Sequence, residues 1–345
     1  MAGVSRTGGY LSNVEVVDLK AENRAEPKFT RWEVKFDGDA KQSQFVLQHA
    51  GGLFAMGGNR SRDTHGSDSF SRQALRFDVA NRAVEKLPDM PRELRSGTLA
   101  ASGRGRDQIL HAMGGLALTD GQYGSTNNIY SYNPREKAWL KDTVVMPTQR
   151  SMFRVGRHDD QLYIFGGSEL IDGKRGIGSV LWRWTGKAGD AVEIVEGKPL
   201  PHPRRSGGGA QLGSRYYLVG GLGADGKVVA GTDVFDMASQ TWTAAAAPQV
   251  PRWFGMVAAA EGKLYLSGGL KDFSDAQSAI SSLEVYDPKS DKWTTLLEKQ
   301  PADCASMQIF EYQGRLLYYG LHPEKDGVAT FALLDPTPLS EQLAE

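Results

Sequence analysis

A single cysteine, Cys304, is all the chain offers, so no disulfide can form within it and its stability must come from packing. Long apolar runs are missing too. No stretch approaches the roughly 18 residues that cross a bilayer as a helix, and membrane insertion is not expected. Neither sign of charge is in excess: Lys plus Arg is 40 against 41 for Asp plus Glu, a formal net charge of −1. That balance lacks the basic footprint of a nucleic-acid binder. Met1 to Tyr10 are polar and glycine-rich with no apolar signal core. A leader could have been removed, so the compartment stays open between cytoplasmic and periplasmic or secreted. The common catalytic motifs are absent as well. There is no P-loop, no Gly-x-Ser-x-Gly, no Cys-x-x-Cys and no His-Glu-x-x-His.

Glycine is what the chain has in plenty, 41 of 345 residues against an ordinary 40% hydrophobic content. This composition is neither disordered nor collagen-like. It describes a chain long enough for a large core and rich in turns between short strands.

An apolar strand ending in Gly-Gly recurs along the sequence. The first glycines of the copies are Gly57, Gly114, Gly166, Gly220, Gly268 and, in a degenerate sixth copy, Gly320. Their separations are 57, 52, 54, 48 and 52 residues. A second register runs in step with the first. After each doublet comes a large apolar residue: Phe77, Tyr132, Trp184, Phe235, Tyr286 and Leu334. Seven residues later stands Val84, Trp139, Trp242 or Trp293, while Val192 follows Trp184 after eight. Turn chemistry such as Tyr132-Asn133-Pro134 and Tyr286-Asp287-Pro288 leads into the tryptophans.

This pattern resembles the kelch repeat, whose period is about 50 residues, over positions 30–340. The resemblance implies an all-β, six-bladed propeller with four antiparallel strands per blade, here named a to d from the axis outward. Residues 1–28 would be an N-terminal extension, 29–340 the propeller and 341–345 a tail. The sixth copy ends after its c strand, and Thr30-Arg31-Trp32-Glu33-Val34-Lys35-Phe36 looks like the missing outer strand that closes the ring. Asn13 to Asp18 resembles another c strand, which keeps seven blades as an alternative.

Function in such a ring would lie where the d–a and b–c connections surround the channel mouth. Arg150 and Arg252 each stand 16 residues before a doublet glycine, Arg205 stands 15 before and Arg95 stands 19 before. Four consecutive blades would thus aim an arginine at one mouth, where its fork could hold a carboxylate or phosphate. The resemblance points the same way. Kelch domains that bind acidic peptides, and six-bladed bacterial sialic-acid mutarotases, contact their anionic ligands through arginines in such connections. The plainer alternative has these side chains bonding loop carbonyls of the next blade. Trp253 and Phe153 could stack on a ligand ring or pack the channel top.

Two residues are candidates for chemistry. Cys304 takes the arginine position in the sixth copy, beside Asp303, where neighbouring arginines could lower its pKa; otherwise it is a small half-buried residue. Glu169, after Gly166-Gly167-Ser168, could relay protons in a sugar ring-opening; otherwise it is an exposed loop residue. His65, His202 and His322 fall on the same face without ligand-like spacing, so no metal and no cofactor is expected. The expected function is recognition of an anionic small molecule or acidic peptide by a monomer. An isomerase-, mutarotase- or lyase-like enzyme acting on a sugar acid is the alternative, and a protein-interaction scaffold is the third reading.

Overall fold

The computed structural model describes residues 29–37, 43–60, 70–119, 122–142, 144–171, 173–272, 275, 278–300, 307–322, 325 and 327–336. Alternating glycine turns and short β-branched or aromatic runs fold into six antiparallel sheets that stand around an axis. Blade one is Phe45–His49, Gly52–Met56, Ala74–Asp78 and Ala83–Leu87. Blade two is Thr98–Ser102, Ile109–Met113 and Asn128–Asn133, with an outer strand split into Ala138–Trp139 and Val144–Val145. Blade three is Arg154–His158, Gln161–Phe165, Trp182–Trp184 and a two-residue edge, Glu193–Ile194.

Blade four is Gly208–Leu212, Arg215–Val219, Thr232–Asp236 and Thr241–Ala245, and blade five is Met256–Ala260, Lys263–Ser267, Leu283–Asp287 and Lys292–Leu297. Blade six takes three strands from the C-terminal part, Gln308–Tyr312, Arg315–Leu321 and Val328–Leu334. Its fourth is Phe29–Lys35, which pairs with Leu334 through Val328 along its whole length. Trp32 of that strand stacks flat on Phe331 at 5.3 Å. Residues 13–18 lie outside the described residues, and the six sheets leave no place for a seventh blade among the described residues.

No blade has a core of its own. Each of the six apolar clusters joins two neighbouring blades: Phe45, Phe54 and Met56 of blade one pack on Leu99, Leu110 and Tyr132 of blade two, and so on around the ring. Blades one and six share a cluster in the same way, with Phe77 against Tyr319 and Phe331. The aromatic–tryptophan register seen in the sequence proves to be direct cross-strand pairing, Tyr132 with Trp139, Phe235 with Trp242 and Tyr286 with Trp293. Such pairs each add area burial and ring contact.

The glycine doublets are clamps between blades. Gly166 has φ +63, and a Cβ there would stand 2.5 Å from the Arg204 carbonyl oxygen of the next connection. The following glycine, Gly167, donates its N–H to that same oxygen at 2.8 Å. The same bond runs from Gly58 to Leu94, Gly115 to Arg150 and Gly221 to Arg252. Left-handed backbone and close approach both require glycine here.

Candidate functional site

The d–a connections converge on the channel mouth, and a backbone belt ties them together. Ser43, Ser96, Met152, Ser206 and Phe254 all take left-handed φ values between 53 and 58. Each passes a hydrogen bond to its neighbour: Ser96 N–H to Ser43 O, Met152 to Ser96, Ser206 to Met152 and Phe254 to Ser206, at 2.8–3.1 Å. Non-glycine residues hold this strained conformation only where surroundings over-determine it. The belt fixes the register of the connections, and so separates two kinds of arginine.

The residue two before the belt is Arg150, Arg204 or Arg252, and it is sealed. All three are 1–2% exposed. Each guanidinium donates to the first doublet carbonyl of its own blade: Arg150 to Gly166 at 2.8 Å, Arg204 to Gly220 at 3.0 Å and Arg252 to Gly268 at 3.1 Å. Arg204 also pairs with Asp233, and Arg252 with Glu284, two carboxylates on the c strands that are themselves buried. Burial lowers the pKa of Arg252 to about 10 against the pull of Glu284, and raises that of Glu284 against the pull of Arg252. In blade three the c-strand position holds Trp182 instead of an acid. Arg150 therefore lies over that ring at 4.0 Å and reaches out to Glu169 at 3.0 Å.

The residue one before the belt lies toward the mouth, half-buried as Arg95 and buried in the other blades, where Arg205 is 8%, Trp253 5% and Ser151 0% exposed. It is Arg95, Ser151, Arg205 or Trp253, each bridging the residue after its blade's doublet, Leu116, Ser168, Leu222 and Leu270. Arg95 sits between two rings, 5.0 Å from Phe70 and 5.7 Å from Tyr123. Tyr123 belongs to a hairpin, Leu116–Thr119 with Gln122–Ser125, and a second hairpin, Ser168–Ile171 with Lys174–Ile177, stands against it. The second hairpin carries Arg175, which donates to Ser168 Oγ at 3.0 Å. Burial first, then the charge of Arg175, depress the pKa of Arg205 to about 10. Arg95 is lowered by burial and by Arg175 as well, with Tyr123 opposing. Three guanidinium groups from blades two, three and four thus share one rim.

The four arginines matched in sequence therefore divide two and two. Arg95 and Arg205 stand at the rim. Arg150 and Arg252 are corrected to the sealed position, where their forks are taken up by carbonyls and carboxylates of the fold. Arg204, one residue before Arg205, is the third sealed member, and it shares their spacing of 16 to the doublet. Phe153 is also sealed, 1% exposed in the core between blades two and three, so it does not stack on a ligand. Trp253 is 5% exposed at the rim and packs on Phe254 with ring centres 4.1 Å apart. Glu169 accepts from Arg150 Nη2 and from Thr148 Oγ1 at 2.8 Å. Cys304, Asp303 and His65 lie outside the described residues. Among the described residues no group of three His, Cys, Asp or Glu side chains is arranged to hold a metal, and no helix is long and apolar enough to cross a membrane.

One family model matches the chain, the Kelch motif over residues 257–296, which is blade five nearly end to end. Among curated proteins the chain is similar to Kelch-like protein 15 of Danio rerio, 26% identical over 53% of this chain and 32% of that protein. It is also similar to Kelch-like protein 40 of Mus musculus, 28% identical over 51% of this chain and 27% of that protein. The matched part is thus a third or less of these relatives. Among solved structures, "Structure of YjhT" superposes with a TM-score of 0.68 over 87% of this chain and 95% of the other, at 14% identity. At that identity the likeness concerns the fold alone.

Proposed function

This chain being a kelch-repeat β-propeller, we propose that it recognises an acidic segment of a partner protein at the rim of its channel. Propellers of this kind commonly serve as interaction scaffolds, and fold alone does not choose the ligand. The observation that carries the reading is the gathering of Arg95, Arg175 and Arg205 from three blades at one rim, where burial first and the charge of Arg175 after it lower the pKa of Arg95 and Arg205. Carboxylates bound there would relieve that repulsion and accept from forks already held in place. Contacts spread over several blades, with Tyr123 and Trp253 among them, suit an extended segment better than a compact substrate. The enzyme alternative has less support, since Glu169 is engaged by Arg150 and Thr148.

The test is fluorescence anisotropy with a labelled nonapeptide of alternating Asp and Glu, beside its Asn/Gln counterpart. Binding of the acidic peptide alone, weakening steeply with salt, is expected. Arg95→Ala and Arg205→Ala should each lower affinity about tenfold, the worth of one charged hydrogen bond. Equal binding of the neutral peptide would overturn the reading. Binding of small dicarboxylates in place of the peptide would move the function to an anionic small molecule.

A further inference from the structure

Residues at the start of all six inner strands line a partly open cavity of about 70 Å³ on the channel axis. Its lining includes Gln44, Ser96, Met152, Arg154, Ser206 and Gln308, and no carboxylate of the described residues contributes to it. By volume it takes a few waters or one small ion. Two side chains on the lining carry donors with no partner among the described residues, Arg154 and Gln44. Arg154 makes no hydrogen bond or ion pair through its guanidinium among the described residues, and burial lowers its pKa, with Tyr216 opposing. Gln44 is 7% exposed, its Oε1 accepts from Tyr319 at 2.6 Å, and its Nε2 has no partner among the described residues.

A half-buried guanidinium that meets no counter-charge among the described residues is costly, and the unpartnered Gln44 amide adds to the cost. The sealed arginines of the same fold show what is missing, because each of those has its acceptors. We propose that this cavity is a binding site for one small oxyanion, of the size of nitrate, formate or phosphate, held by the Arg154 fork and the Gln44 amide. Neither Arg95 nor Arg205 lines this cavity, although Arg205 Nη1 stands 3.8 Å from Met152 Sδ on its wall. A bound anion would also brace all six inner strands from the axis.

The experiment is a thermal melt of the whole chain against inorganic phosphate, nitrate and formate up to about 20 mM, at ionic strength fixed with sodium chloride. The expected result is a saturable rise in Tm of about 2–5 °C with at least one of the three anions. Arg154→Met should abolish the rise and Arg154→Lys should keep a weakened one, because a lysine retains charge without the fork. Gln44→Met leaves every charge in place and should weaken the anion about tenfold, which keeps the test decisive if Arg154→Met melts without cooperativity. The double variant Arg95→Ala/Arg205→Ala should respond like the parent. No rise with any of the three anions in the parent overturns the proposal. So does a rise undiminished in Arg154→Met and Gln44→Met, or one lost only in the rim double variant.

Discussion

Arg204 and Arg205 are neighbours in one connection, both buried at 2% and 8% exposure, and they are held by different partners. Arg204 is closed off against Asp233 and the Gly220 carbonyl, while Arg205 stands at the rim under the field of Arg175. The belt residue Ser206 decides which is which, because its left-handed turn sets the direction of the two side chains before it. One residue of register thus separates an arginine that holds blades together from one that crowds against Arg175 at the rim. The same contrast repeats in other blades, Arg252 against Trp253 and Arg150 against Ser151. Sealed arginines stabilise the ring; rim residues can vary from blade to blade without harming it.

The largest effect is expected from breaking a sealed pair on one side. Arg252→Ala leaves the Glu284 carboxylate buried, and both side chains are 0% exposed in the parent. Urea denaturation should show a loss of about 3–5 kcal/mol. Replacing both, Arg252→Met with Glu284→Leu, should restore most of it, because an apolar pair of similar volume is often as stable as the ion pair. A double variant as unstable as the single would mean that the arginine's carbonyl bonds, not the pair, carry the effect. Arg205→Ala, by contrast, should change stability by no more than about 1 kcal/mol while removing most acidic-peptide binding. If Arg204→Ala and Arg205→Ala behaved alike in both assays, the division between sealed and rim positions would fail.

A sealed group that carries no charge gives the next effect. His111 is 1% exposed; its Nε2 lies 2.8 Å from Ser102 Oγ and its Nδ1 2.9 Å from Ser131 Oγ. Ser102 gives its hydrogen to the Gly186 carbonyl of blade three, so the ring is the Nε2–H tautomer and Ser131 donates to Nδ1. Burial lowers the imidazole pKa from 6.5 to about 3. Between those values the unfolded chain binds more protons than the folded one, so the contribution is complete above 6.5 and falls as pH drops toward 3. The loss at pH 5 relative to pH 8 is about 2 kcal/mol from this group. Chemical denaturation of His111→Asn should therefore show a flatter pH dependence than the parent, whatever its stability at pH 8. An unchanged slope would place the acid sensitivity elsewhere.

The ring was legible in the chain because its determinants are local and repeated: a doublet that must be glycine, an aromatic that must meet a tryptophan, a strand lacking its neighbour. The site was legible only to within one residue, and one residue matters. Spacing of 16 to the doublet was the usable signal for the sealed set, and Arg204 carried it. Asp233 and Glu284 offered a second signal, an acid two residues before Phe235 and Tyr286 in otherwise apolar strands, where a buried carboxylate needs a buried cation. Blade two lacks both: Leu94 stands in the arginine position and Tyr130 in the acid position, so the exchange is paired. Arg175 could not be found by matching repeats, since its hairpin is an insertion, although Asp172-Gly173 marked the reversal that carries it back toward the doublet. Arg154 gave no signal at all, because nothing in a strand's own sequence reports what the other five blades put on the axis.

Blade three supplies the smallest expected effect, and it separates two ways of holding a sealed arginine. Arg150 has no buried acid; its partners are the Trp182 ring, the Gly166 carbonyl and Glu169, whose side chain is 28% exposed. A carboxylate so placed is partly screened by water, so Glu169→Gln should cost only about 0.5–1 kcal/mol. The amide oxygen of the glutamine can still accept from Arg150 Nη2 and Thr148 Oγ1, which keeps the geometry. The ring contact and the carbonyl bond then remain to hold the guanidinium. Acidic-peptide binding should be unchanged or slightly stronger, since one negative charge beside the rim is gone. A loss as large as that of Arg252→Ala would show that Arg150 depends on its carboxylate as completely as the arginines of blades four and five, and that the tryptophan beneath it only fills space.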